Sequence, residues 1–325
     1  MASTTVIPSR CGLSTDQSNM AAMKVETRQH GRERAERLME LLALEPVEEN
    51  LFLGHNEARA PVRLFGGQVL SQSLRAATLT IDAASGLKPH SLHGYFMRAG
   101  DASRRVLYEV ERIRDGRSFS TRRVVAIQNG EAIFNLDVSF HVDESGIEHA
   151  DPIPNVPRPE DLEDDLTHVR RLVEAGVKDP RLSPFAGHAR PFEMRSVFVP
   201  GSREWGQDRY WNPVWIRFLV PVDAADQGLT RCLLAYASDM GFVGTAAMPH
   251  QSEVPRAGLQ MASLDHAIWF HRDPDVNEWI LFHRTTTWAD AARGLCHAQF
   301  FDRHGELLGS VTQEGLLRRD AALTA

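Results

Sequence analysis

Residues 129–142 read NGEAIFNLDVSFHV. Within them Leu136, Val138, Phe140 and Val142 alternate with Asp137, Ser139 and His141, the period-two pattern of a strand with one buried face. Asn129-Gly130 is the dipeptide of a two-residue hairpin turn, so a partner strand should precede it. The chain supplies strand-like stretches around 117–128, 105–114 and 90–98. Ahead of these, Leu64 to Thr80 reads as a helix: Gly66 and Gly67 sit near its start, and Leu70, Leu74 and Ala77 follow at helical spacing. One helix followed by an antiparallel set of strands predicts an α+β unit, with the helix packed on a sheet.

On the N-terminal side, Leu38, Leu41, Leu42 and Leu44 predict a short amphipathic helix over Glu33–Leu44, ended by Pro46. Residues 1–30 are Ser/Thr-rich and aperiodic and are expected to form a flexible tail. On the C-terminal side, Pro152, Pro154, Pro157 and Pro159 break regular structure, and a charged helical stretch (160–176) follows. A second dense block begins near Trp211 and ends near Arg318. The expected organisation is a first unit over 31–143, a Pro-rich linker with a short helix over 144–200, a second unit over 201–318 and a tail over 319–325.

The second block repeats the first. An offset of 172 lays Ser91-Leu92 on Ser263-Leu264 and Leu64-Phe65-Gly66-Gly67 on Tyr236-Ala237-Ser238-Asp239. After a further shift of three residues, Asn129-Gly130-Glu131 lies on His304-Gly305-Glu306. The shared order of helix, strands, turn and strand reads as a duplication.

Composition narrows the chemistry. A chain of 325 residues accommodates two domains, and 42% hydrophobic with 24% charged residues is the balance of a soluble globular protein. No apolar run reaches the roughly 18 residues a membrane span needs, and the first 30 residues show no secretory signal. Three cysteines in separate contexts (Cys11, Cys232 and Cys296) build neither a disulfide framework nor a Cys-rich zinc site, and no metal-ligand spacing stands out. A net charge of −7 argues against nucleic acid as the main partner. The motifs GxSxG, GxGxxG, GxxxxGK[ST] and HExxH are absent.

If the halves are copies, their differences point to chemistry. The offset sets Gly67 against Asp239 and Ser91 against Ser263, and the shifted one sets Val138 against Gln313. Each alone has an ordinary explanation. Asp239 would cap a helix beginning at Met240, Ser263 would be structural, and Gln313 would bond a neighbouring backbone group. Together they place a carboxylate, a hydroxyl and an amide where one water could be bound and activated. A helix start beside the carboxylate would suit an oxyanion, and its dipole should lower the Asp239 pKa.

These residues lie in segments that resemble the type II acyl-CoA thioesterases, over residues 35–318. The matching segments are RLFGGQVLSQSLRAA, HSLHGYFMRAGD and RDGRSFSTRRVVAIQNGEAIF in the first half, and YASDMGF, SLDHAIWFHR, NEWILF, ARGLCHAQFF and GSVTQEGLLR in the second. The resemblance implies a double hotdog, two tandem units that each wrap a long helix in a curved antiparallel sheet. It implies hydrolysis of fatty acyl-CoA to fatty acid and CoA, with no cofactor and no metal. It places the catalytic Asp, hydroxyl residue and Gln on Asp239, Ser263 and Gln313; Ser stands where some members have Thr. It further implies an apolar acyl channel between the halves, an oxyanion site near Gly67 and Gln68, and assembly into a homo-oligomer (dimer or tetramer).

Seven arginines lie within residues 104–123; Arg117 and Arg122 are the candidates to grip CoA phosphates, against the alternative of a solvated strand face. His266 is expected to pack or hydrogen-bond rather than act as a base, Trp269, Trp279 and Trp288 to be core, and Cys296 to be a buried small hydrophobe. The C-terminal Ala-Leu-Thr-Ala lacks a peroxisomal address of the Ser-Lys-Leu type, so the cytoplasm is the expected compartment. The rival functions are a hotdog hydratase or dehydratase acting on acyl-CoA, and a non-catalytic acyl-CoA-binding module.

Overall fold

The structure, a computed structural model, describes residues 26–56, 63–177, 188–199, 202, 204, 207–254 and 258–319. Most of the expected N-terminal tail, Cys11 and residues 320–325 of the expected C-terminal tail lie outside the described residues.

The first half runs β1 (Glu45–Glu48), β2 (Leu51–Gly54), α2 (Gly66–Leu79), β3 (Lys88–Phe96), β4 (Val106–Arg114), β5 (Phe119–Gln128) and β6 (Glu131–His141), with α1 (Arg28–Leu42) ahead of it. The α1 helix begins five residues earlier than its leucines suggested, because Thr27 caps it in a capping box with His30. In β6 the alternation holds, with Leu136, Val138 and Phe140 buried. The β5–β6 hairpin turns on Asn129 and Gly130 with φ of 53° and 77°, the pair of left-handed conformations that this type of turn requires.

The second half repeats that order: β7 (Phe192–Ser196), β8 (Trp211–Phe218), α4 (Gln227–Ser238), β10 (Asp265–Phe270), β11 (Ile280–Asp290), β12 (Arg293–Asp302) and β13 (Leu307–Arg319). The strands make one antiparallel sheet in the order β1-β2-β4-β5-β6-β3-β10-β13-β12-β11-β8-β7. The halves meet where β3 pairs with β10, Ser91 opposite Trp269 and His93 opposite Ala267. Both helices lie inside the curve of the sheet within one continuous apolar core, to which Leu70, Leu74, Leu233 and Leu234 all belong. They run antiparallel. A Cβ on Gly67 would stand 2.7 Å from the Tyr236 carbonyl, and one on Gly228 would stand 2.8 Å from Thr78 Cγ2. The glycine at the second position of each helix thus lets it start against the other's end.

This pairing corrects the ungapped repeat. Residues 80–87 connect α2 to β3, whereas 239–264 connect α4 to β10 and contain a 3-10 helix (Val243–His250) and β9 (Leu259–Ser263), which pairs with β13. The added residues slide the offset of 172 along the helix, so that it lays the start of α2 on the end of α4. Gly67 corresponds to the Gly228 region, and Asp239 is the C-cap of α4 rather than the N-cap of a helix at Met240. Ser263 likewise sits on β9, not on the counterpart of the Ser91 strand. Gln313 and Val138 do lie on corresponding strands, β13 and β6.

The Pro-rich segment is ordered. Ile153, Val156 and Leu162 pack on Trp215, Trp279, Leu281 and Phe301 over the outer face of the second half, and the Trp215 indole donates to the Pro157 carbonyl at 2.9 Å. The α3 helix (Asp165–Glu174) is tied to β7 by the Asp165 carboxylate, which accepts from Ser196 N and Oγ. Trp279 is core at 4% exposure, but Trp269 and Trp288 are 37% and 41% exposed, contrary to expectation. Cys296 is buried, its thiol directed to the Phe242 carbonyl at 3.4 Å.

Candidate active site

Three elements converge on the Asp239 carboxylate at the end of α4. Gln313 projects from the inner face of β13 and is fully buried; its Nε2 donates to Asp239 Oδ1 at 2.9 Å. Ser263, the last residue of β9, stands opposite Gly315 of the same strand, and its hydroxyl donates to the same Oδ1 at 3.3 Å. The third donor is the Gly67 backbone N–H in the first turn of α2. Asp239, Ser263 and Gln313 are therefore brought together, although the ungapped offset pairs two of the three with the wrong partners.

The helix start beside the carboxylate belongs to the other half. Phe65, the N-cap of α2, supplies no side-chain cap, and Asp239 fills that role across the interface. The first turn of α2 leaves its amides to be satisfied from outside the helix. Gln68 N–H bonds the Phe65 carbonyl at 3.1 Å and Gly67 N–H bonds Asp239. Among the described residues the Gly66 N–H bonds no backbone carbonyl. A Cβ on Gly66 would stand 2.8 Å from Asp239 Oδ2 and 3.1 Å from Phe96 Cζ, so only glycine keeps the space over that oxygen open.

Burial dominates the electrostatics. Asp239 is 8% exposed, and loss of hydration pushes its pKa up to about 6 against the pull of Gln313, Gly67 N–H and Ser263. This reverses the lowering expected from the helix dipole: three neutral donors and a helix end do not replace bulk water around a charge. His266 lies below, buried and held neutral by the same effect, with its pKa pushed down to about 3.

The structure does not bring the remaining candidates to this carboxylate. The Gln68 side chain is turned to Asn56 Oδ1 at 2.9 Å and the His55 carbonyl at 3.2 Å. Arg122 is 1% exposed. Its Nε donates to Thr80 Oγ1 at 2.8 Å, its Nη1 to the Arg114 and Thr121 carbonyls at 3.0 Å each, and its Nη2 to Asp115. Thr80 is the C-cap of α2, at the opposite end of a helix about 20 Å long, so Arg122 closes that end and offers no donor to a phosphate. Arg117 is exposed in the turn between β4 and β5 at the same far end. Duplication gives this fold two junctions of helix start with helix end; one holds the carboxylate set, and at the other Arg122 bonds the end of α2 through Thr80. No spacing rule reveals a buried Arg122, since an arginine in a run of arginines reads as surface.

Residues 190–316 match the family described as Acyl-CoA thioesterase, and residues 57–141 match its N-terminal domain. The acyl-coenzyme A thioesterase 8 of Mus musculus is 38% identical over 288 residues, 86% of this chain and 88% of that protein. The crystal structure of an acyl-CoA thioesterase II from Mycobacterium marinum superposes with a TM-score of 0.71 at 37% identity, covering 88% of this chain and 99% of that one. A protein of hot dog fold from Alicyclobacillus acidocaldarius, 19% identical, shares the fold with a TM-score of 0.67 over 88% of this chain and 99% of its own. With both halves of the signature present in order on a double hotdog, the chain belongs to the acyl-CoA thioesterase family.

Proposed function

We propose that the protein hydrolyses fatty acyl-CoA to a fatty acid and CoA, with Asp239 as the general base. The observation that carries this reading is the buried Asp239 carboxylate, gripped at Oδ1 by Gln313 and Ser263 and set against the first turn of α2. Gln313 Nε2 is committed to Asp239, while its Oε1 is buried with no protein partner among the described residues, an acceptor for one proton of a water whose other proton faces Asp239. Asp239 removes that proton as the water oxygen attacks the thioester carbonyl carbon. The oxyanion that forms is met by the α2 amides, with Gly66 N–H the donor not already engaged. Collapse breaks the carbon–sulfur bond, and the proton held by Asp239 passes to the CoA sulfur. The steps use water and this chain's own groups, with CoA as part of the substrate. A thiolate leaves readily, so a carboxylate of pKa near 6 is a sufficient base.

A homo-oligomeric state is proposed on the family resemblance, and a cytoplasmic compartment is proposed beside it; among the described residues no helix is long and apolar enough to cross a membrane. Thiol release from short- to long-chain acyl-CoA tests the function. Asp239→Asn should lower kcat/KM by about a hundredfold or more with the fold intact by circular dichroism. Turnover that survives would remove Asp239 from the mechanism. No thiol release by the wild type at any chain length would overturn the thioesterase reading.

A further inference from the structure

The residue before the proposed base has a buried partner that the mechanism does not use. Ser238, fully buried, closes the last turn of α4: its hydroxyl donates to the Ala235 carbonyl at 2.7 Å and lies 2.8 Å from His266 Nε2 on β10. A serine hydroxyl has one proton. Giving it to Ala235 makes His266 Nε2–H the donor to Ser238 Oγ and satisfies both bonds. Giving it to His266 would leave the Ala235 carbonyl without that bond and bury an Nδ1–H with no acceptor. His266 Nδ1 is buried with no partner among the described residues, and an unpartnered acceptor is tolerated more readily than an unpartnered donor. The ring is walled by Phe242, at 6.0 Å between centroids.

We propose that His266, as the neutral Nε2–H tautomer, is a positioning residue that locks Ser238 and thereby fixes the direction in which Asp239 leaves the end of α4. The inference rests on the reading of Asp239 as the base. On the other side of Asp239, Arg284 Nη1 donates to the Met240 carbonyl at 3.2 Å, so the backbone is held on both flanks of the carboxylate while the carboxylate itself faces the α2 start. Neutrality of the ring matters as well: an imidazolium here would stabilise the Asp239 carboxylate and weaken it as a base.

His266→Phe keeps an aromatic body and removes the donor. It should lower kcat by about tenfold to a hundredfold with KM little changed, the signature of a displaced base rather than a damaged binding site. His266→Gln, whose amide N–H replaces Nε2–H, should recover most of the loss. Ser238→Ala should match His266→Phe, and the double variant should lose no more than either, because the two act through one bond. Additive losses, failure of the Gln rescue, or a full kcat in His266→Phe would overturn the proposal. Should the variants not fold, ¹⁵N NMR of the wild-type ring decides independently of turnover. A protonated Nε2 and bare Nδ1 unchanged from about pH 5 to 8 supports the lock, and a protonated Nδ1 or titration in that window overturns it. Absence of thioester hydrolysis in the wild type counts against the proposed function and leaves the ring measurement standing.

Discussion

At the scale of single residues, Asp239 as the proposed base links activity to stability with opposite signs. Its pKa near 6 in the fold exceeds the value of about 3.9 it has in an unfolded chain. Between these values the folded state binds the proton more tightly, so folding loses stability as pH rises from about 4 through 6. The gap between the two values corresponds to a loss on the order of 3 kcal/mol. The ionised form that chemistry needs is therefore the form that burial penalises. Two outcomes are expected together. The kcat/KM of the wild type should fall about tenfold for each pH unit below about 6. The melting temperature of Asp239→Asn, relative to wild type, should climb between about pH 4 and 6 and level off above that, because the amide carries no charge to desolvate. A melting difference that is flat with pH would show that Asp239 keeps an ordinary pKa.

At the scale of elements, what distinguishes the second half is the segment between α4 and β10. Its 3-10 helix lies on the inner face of the sheet, seated on two glycines. A Cβ on Gly294 would stand 2.5 Å from Ala246 Cβ, and one on Gly315 would stand 2.5 Å from Val243 Cγ1. Gly315 follows Gln313 by one inward-facing position, so the same strand carries both the Gln313 amide and a seat for the 3-10 helix. Gly294→Ala should lift the helix, since the Ala246 Cβ is fixed to the backbone and cannot swing away. The expected cost is about 1–3 kcal/mol, read as a lowered melting temperature, with kcat reduced through the displaced β9 and Ser263. Unchanged stability would mean that the helix yields freely. This segment also explains which parts of the architecture can be read from residues. The alternation of Leu136, Val138 and Phe140 and the Asn129-Gly130 turn are local rules, and each appears where expected. The added residues after Asp239 obey no period, so the offset of 172 runs through them unseen. Asp239 still stands out, because a carboxylate, a hydroxyl and an amide on otherwise apolar faces are conspicuous without correct partners. The donor beside it comes from α2, a contact between distant residues that no local pattern encodes. Arg122 escapes a local reading for the same reason, its partners Thr80 and Asp115 becoming neighbours only in the folded chain.

At the scale of the molecule, the site exists only between the halves: α4, β9 and β13 supply the side chains and α2 supplies the helix start. The halves accordingly behave as one folding unit. The sheet runs unbroken through β3 and β10, the helices share one core, and a cluster of charges bridges the seam. Asp273 of the second half accepts from Lys88 of the first at 2.6 Å and from Arg231 at 2.5 Å, while Arg231 also donates to the Pro89 carbonyl. Arg231 is 4% exposed, and removing its carboxylate would leave a buried guanidinium short of an anion, at a cost of about 1.5–3 kcal/mol for a charged hydrogen bond. Because the seam is continuous with both cores, Asp273→Ala should move a single calorimetric transition downward by several degrees and should not split it. Two transitions, with one half melting first, would show that the halves are stable bodies that merely touch. Asp239 and the α2 start would then be free to part before the rest of the chain unfolds, and hydrolysis would fail at the first transition, well below the second.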